Sequence, residues 1–99
     1  MITEKQFEDA FTACGGWFFL TQYETIANWT GSKEALIEHI FEQGFDNKMS
    51  GSRTRVSSAL RIIENNCVEK ALLKIRDSDR MNKQHPEARR LAQELLNKA

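Results

Sequence analysis

Thr3-Glu4-Lys5-Gln6-Phe7-Glu8-Asp9-Ala10-Phe11-Thr12-Ala13-Cys14-Gly15 decides the fold class. Its first four residues fit a capping box, in which the Thr3 hydroxyl and the Gln6 amide satisfy the free N–H groups of a helix start. Ile2 and Phe7 are placed as the hydrophobic staple across that cap. Phe7, Ala10, Phe11 and Cys14 then recur at i, i+3, i+4 and i+7, one face of an α-helix. Gly15 supplies a left-handed stop. The pattern predicts a capped, amphipathic helix with its apolar side on a core.

The same spacing recurs along the chain. Thr21-Gln22-Tyr23-Glu24 reads as a second capping box, opening a short helix through Ile26, Ala27 and Trp29 that stops at Gly31. Ser32 caps a third helix with Leu36, Ile37, Ile40 and Phe41 inward and Gly44 at its end. A fourth runs from about Ser52 to Glu64, with Val56, Ala59, Leu60 and Ile63 inward, and breaks at Asn65-Asn66. A fifth runs from about Cys67 to Arg76, with Val68, Ala71, Leu72 and Ile75 inward. Asp77 to His85 reads as a polar loop holding a helical turn. Pro86 stands at the first position of a last helix, where its missing N–H costs little. Ala88, Leu91, Ala92 and Leu95 face the core there. Trp17-Phe18-Phe19-Leu20 cannot all lie on one helical face. It reads as an irregular connection that plugs the core, or as an exposed aromatic patch.

No stretch alternates β-branched with polar residues over a useful length. Residues 1–99 therefore predict a single all-α domain, an irregular array of five to six short helices. Helices this short need tertiary packing to persist. The apolar share of 40% and charged share of 28% are those of a globular chain. The first residues lack the basic and apolar regions of a secretory signal, and no run is long enough to span a bilayer. These features lead to the expectation of a cytoplasmic, bacterial-type protein with no membrane partner. Cys14 and Cys67 read as free thiols of a reducing compartment rather than a disulfide.

The charge is unevenly divided. Residues 1–49 carry three lysines against eight acids, net −5, and residues 50–99 carry eleven bases against six acids, net +5. The two halves either complement one another within the fold or present an acidic and a basic face to partners.

Two stretches are candidate sites. Ser50-Gly51-Ser52-Arg53-Thr54-Arg55 begins the fourth helix, where free N–H groups and the helix dipole favour an anion. Gly51 and Ser52 offer backbone N–H groups there, and Arg53 and Arg55 can close over an oxyanion. Arg53, Ser57 and Arg61 form an i, i+4, i+8 stripe. Gly51, Ser52, Arg53, Arg55, Ser57 and Arg61 are thus the candidate anion- or partner-binding residues. The competing reading pairs the arginines with the protein's own acids, such as Asp46 or Glu64. The second candidate is a helix-turn-helix-like unit over residues 23–41, with Ala27, Gly31 and Ile37 at the required spacing. Its outward residues include Glu34, Glu38 and Glu42, which a DNA phosphate backbone would repel.

No spacing of His39, His85 and the two cysteines suggests a metal site, and no nucleophile or phosphate-loop motif is present. Catalytic residues, a cofactor and a metal are therefore not expected. The leading functional expectation is a small non-enzymatic binding or adaptor module with a protein or anionic partner. The alternative is a nucleic-acid-binding regulator using the 23–41 unit.

Cys14-Gly15-Gly16-Trp17-Phe18-Phe19, the run from Arg53 to Arg61 and His85-Pro86-Glu87-Ala88 resemble the YoaC-like family of small enterobacterial proteins, a domain of unknown function. The resemblance extends over nearly the whole chain. It implies a compact multi-helical array in a bacterial cytosol. It implies no activity and assigns no functional residue.

Overall fold

The computed structural model describes residues 1–98, and all of its regular structure is helical. Seven helices follow one another among the described residues: α1 (Glu4–Cys14), α2 (Gly16–Ala27), α3 (Lys33–Glu42), α4 (Met49–Glu64), α5 (Val68–Arg76), α6 (Asp79–Gln84) and α7 (Ala88–Lys98). The expected five to six become seven because the segment after Asp77 forms a helix of its own. Ser78 caps it, its side chain accepting from the Met81 N–H.

The capping box of α1 is complete. The Gln6 N–H donates to Thr3 Oγ1 at 3.1 Å, and the Thr3 N–H donates to Gln6 Oε1 at 2.9 Å. Phe7, Ala10 and Cys14 are buried, so the apolar face is the inner one. The chain turns at Gly15 with φ +89°, and α2 begins at the next residue.

That start overturns the reading of Trp17 to Leu20 as an irregular connection. The four residues lie within the first turns of α2, and Phe18, Phe19 and Leu20 are all buried. Three consecutive buried side chains point to three sides of a helix, so this helix has neighbours on several sides. α2 is indeed central: it packs on α1, α4, α5 and α7. Around it, α1 and α3 pack on α4, and α5 packs on α7.

Thr21 is therefore mid-helix and caps nothing. Its hydroxyl donates back to the Trp17 and Phe18 carbonyls at 3.0 and 3.3 Å. The two threonines of identical local pattern should respond differently to alanine. Thr3→Ala is expected to cost about 1 kcal/mol, the usual value of an N-cap. Thr21→Ala should leave stability within roughly 0.5 kcal/mol, because alanine is the better residue inside a helix. Paired urea titrations check this. Equal losses would show that Thr21 behaves as a cap.

α4 also begins earlier than expected, at Met49, with Lys48 at the cap position and no side-chain cap. Ser52, Val56, Ala59 and Ile62 are its buried residues. Leu60 and Ile63, expected inward, are half-buried at the edges of that stripe. The i, i+3 and i+4 steps from Val56 allow either set, and packing against α1, α2 and α3 selects the one that ends on Ile62. At the other end of the chain, Pro86 and Glu87 form a turn before α7 instead of its first residues.

Candidate functional site

Gly51, Ser52 and Arg55 do converge on an anion, and it is the carboxylate of Asp46. Asp46 lies on the short connection between α3 and α4. Ser52 Oγ donates to its Oδ2 at 3.2 Å, and Arg55 Nε lies 3.1 Å from both carboxylate oxygens. Gly51 lets this carboxylate approach closely, since a Cβ there would stand 2.9 Å from Asp46 Cγ. Arg55 Nη1 donates to the Cys14 carbonyl at 2.6 Å, and the guanidinium lies 5.5 Å from the Phe18 ring centroid. This guanidinium therefore ties the end of α1 to the entry of α4 across α2.

Arg53 faces the other way. Its Nη1 and Nη2 donate to Glu34 Oε1 and Oε2 of α3 at 2.5 and 2.9 Å, a bidentate pair. The hydrogen bonds from Arg53 hold the Glu34 carboxyl below the usual glutamate range. Ser57 is half-buried. Arg61 is exposed, and its side chain has no partner among the described residues. Of the six candidate residues, three surround an internal carboxylate, one pairs with α3, and two stand apart.

The Arg55–Asp46 pair is largely removed from water, with side-chain exposures of 28% and 16%. Removing one partner of such a pair leaves the other charge uncompensated. Arg55→Met is expected to destabilise the fold by about 2 kcal/mol, less than a fully buried pair would lose because some solvent reaches it. Asp46→Asn in the same chain should recover part of that loss, a coupling of about 1 kcal/mol. Chemical denaturation of the two single variants and the double variant measures it. Strict additivity would show that the contact contributes nothing.

The uneven charge division has the same resolution on a larger scale. Glu4 pairs with Lys70, Glu8 with Lys74, Glu24 with Lys98, Glu34 with Arg53 and Asp46 with Arg55. Each of these pairs joins an acid of the first half to a base of the second. Lys70 and Lys74 also lie over the Phe7 and Phe11 rings, at 4.7 and 5.6 Å from the centroids. Hydrogen bonding from Lys70 is the main cause that lowers the Glu4 pKa.

The helix-turn-helix-like unit does not assemble as one. Such a motif packs its two helices together, whereas α3 packs on α4 rather than on α2. Ala27, expected at the close approach, is exposed at the end of α2. Trp29 spans the turn instead: its indole N–H donates to the Ser32 carbonyl at 3.0 Å, beside Gly31, and its ring lies 5.4 Å from the His39 ring. The outer side of α3 carries Glu34, Glu38 and Glu42, all exposed.

A groove between α5, α6 and α7 is the site that sequence reasoning missed. It is open and shallow, about 650 Å³, and is lined by Arg76, Asn82, Pro86, Arg89, Arg90 and Gln93. No carboxylate lines it. Arg76 Nη1 donates to Gln93 Oε1 at 3.0 Å, and its Nε to neighbouring Asp77 at 3.1 Å. Arg89 Nε donates to the Arg76 carbonyl at 3.1 Å, and Arg90 Nη1 to Glu94 at 2.8 Å. Asn82 Nδ2 lies within 3.3 Å of the Ile75, Arg76 and Ser78 carbonyls, closing the C-terminal end of α5. The adjacent arginines Arg89-Arg90, at the start of a helix with no acid in its first turn, were the available sequence signal.

His85, beside this groove, stacks on Trp17 with centroids 3.8 Å apart and planes 4° from parallel. Cys14 and Cys67 are both free, the first buried and the second half-buried. Among the described residues, no three His, Cys, Asp or Glu side chains are grouped as metal ligands, and no helix is long and apolar enough to cross a membrane.

Comparisons with protein-family models, with curated proteins and with solved structures find no match to this chain.

Proposed function

We propose that the protein is a small, non-enzymatic binding module of the bacterial cytoplasm, whose partner is a protein with an acidic surface. The observation that carries this reading is the groove between α5, α6 and α7, where three guanidinium groups border one concavity and no carboxylate lines it. Elsewhere the strongest cations are committed: Arg53, Arg55, Lys70, Lys74 and Lys98 each hold an acid of the first half. The three arginines of the groove hold no acid of the first half, and Arg89 has no carboxylate partner among the described residues. The 23–41 unit gives nucleic acid no support, because Glu34, Glu38 and Glu42 line the outer side of α3 and would repel a phosphate backbone there.

The test is affinity capture from bacterial lysate, with and without nuclease, using the wild-type chain and the Arg89→Glu/Arg90→Glu variant. The expected result is a protein retained by the wild type despite nuclease and lost from the variant. Retention by both would remove the groove from the reading. Loss on nuclease treatment would replace the protein partner with nucleic acid.

A further inference from the structure

We infer that Met81 is a site of reversible oxidation by peroxide, and that its sulfoxide releases α6 from α2. Met81 does not line the groove between α5, α6 and α7, so the site stands whether or not that groove holds a partner.

α6 is a short strap. Six residues form too little helix to persist unaided, and none of the six is buried. Asp79-Arg80-Met81-Asn82-Lys83-Gln84 holds one apolar side chain, that of Met81. The hydrogen bonds of the strap are local: the Ser78 hydroxyl caps it, and Asn82 Nδ2 reaches the carbonyls of Ile75, Arg76 and Ser78. Two side chains reach across to α2. Met81 seats its methyl over Gly16, where a Cβ would stand 2.5 Å from Cε, and Phe11 and Ile75 surround the same point. His85, just past the helix end, stacks on Trp17. A segment with so few buried contacts opens locally at small cost.

Of the three methionines, Met1 and Met49 are exposed, and Met81 is packed against the core. Solvent still reaches Met81, which borders two open depressions of about 440 and 530 Å³ between α1, α5 and α6. A peroxide can therefore approach the thioether. The sulfur lone pair takes one peroxide oxygen: an S–O bond forms, the O–O bond breaks, and the other oxygen leaves as water. Sulfur is oxidised by the two electrons that reduce the peroxide. A dithiol reverses the step, becoming a disulfide while the sulfoxide oxygen leaves as water. The sulfoxide is polar and chiral, and burying its oxygen is costly. The seat over Gly16 is walled by the Phe11 ring and Ile75 and is already filled by the methyl. Met81 then leaves the seat, and the His85 stack alone ties the strap to α2. α6 also carries Asn82 to the groove between α5, α6 and α7, so its release alters a wall of that groove.

The experiment treats the uniformly ¹⁵N-labelled protein with hydrogen peroxide and locates the added oxygens by peptide mass spectrometry. NMR then reads the amides and the Trp17 indole N–H. Oxidation of Met81 is expected to shift the amides of residues 78–86 and the Trp17 indole. Amide exchange at residues 81–85 should quicken about tenfold, while that of residues 56–62 stays unchanged. Methionine sulfoxide reductases of both stereospecificities, with dithiothreitol, should restore the original spectrum. Met81→Leu keeps the apolar volume and should be indifferent to peroxide, although Met1 and Met49 still oxidise. Untreated Met81→Gln should reproduce the oxidised spectrum in residues 78–86. The inference fails if Met81 stays reduced when Met49 is fully oxidised, or if residues 81–85 keep their exchange rates once Met81 is oxidised. A spectrum that the reductases do not restore would make the change damage and would also overturn it. Should Met81→Leu not fold, the wild type decides alone, through exchange at residues 81–85 against the fraction of Met81 oxidised.

Discussion

Phe18→Ala is expected to remove roughly 3–5 kcal/mol of stability, the range for truncating a buried aromatic residue. A domain of this size has a total of about 5–15 kcal/mol, so the variant should stand close to unfolding. Phe18 is 1% exposed and lies in the opening turns of α2, the helix on which α1, α4, α5 and α7 pack. Its ring meets the Phe45 ring edge to face, with centroids 5.0 Å apart and planes at 82°. The Arg55 guanidinium caps the other approach at 5.5 Å. Truncation therefore opens a cavity between α2 and the connection that carries Asp46, and it removes an aromatic pair and a cation–π contact as well. Phe18→Leu keeps most of the volume and should lose about 1.5 kcal/mol. Urea unfolding followed by circular dichroism gives both values. A loss below about 1 kcal/mol for Phe18→Ala would mean that the site repacks, and would place the aromatic run at the periphery of the core.

The contrast between Phe7 and Phe18 shows what was legible in the sequence. Phe7 sits on a helix with one apolar face and a complete cap, so periodicity alone places it. Phe18 sits on a helix buried on several sides, where periodicity vanishes because apolar residues occupy every direction. The run from Trp17 to Leu20 then looks like a break in the pattern, and Thr21-Gln22-Tyr23-Glu24 offers a false start just beyond it. A capping-box pattern fixes a helix start only where the preceding residues cannot continue the helix, and Gly16 to Leu20 can. The slip on α4 has a related cause. Leu60, Ile62 and Ile63 satisfy two overlapping stripes, and only the position of α1, α2 and α3 around α4 decides between them.

The candidate anion site was legible in its chemistry and not in its occupant. Glycine, serine and arginine at a helix entry describe a cradle for an oxyanion, and Asp46 fills it from six residues before Ser52. No local pattern tells an internal carboxylate from an external one, because the choice depends on how the α3–α4 connection folds back. The groove around Arg89 had the opposite difficulty. Its residues come from three helices and the turn before the last of them, at positions 76, 82, 86, 89, 90 and 93, so no short window of sequence contains it.

Cys14 should make the fold sensitive to alkali. The thiol is fully buried, and burial pushes its pKa from 9.0 up to about 12 against the opposing attraction of Arg55. Arg55 cannot do more, because its guanidinium already serves Asp46 and the Cys14 carbonyl. In the unfolded chain the thiol ionises near its ordinary value, while in the folded chain it keeps its proton. The folded state therefore binds more protons than the unfolded state between these two values. Stability from this group is complete below about pH 9 and is lost as pH rises toward 12, by about 1.4 kcal/mol per pH unit. The measurement is a difference between wild type and Cys14→Ala, so that the contributions of all other groups cancel. Cys14→Ala lacks the thiol and should be less stable at pH 8, since it leaves a small cavity. The gap between the two proteins should narrow on going from pH 9 to pH 11, by about 2–3 kcal/mol. Urea midpoints under reducing conditions give the two curves. Parallel curves would mean that the thiol ionises as readily in the fold as outside it, which requires water to reach Cys14 beneath Arg55.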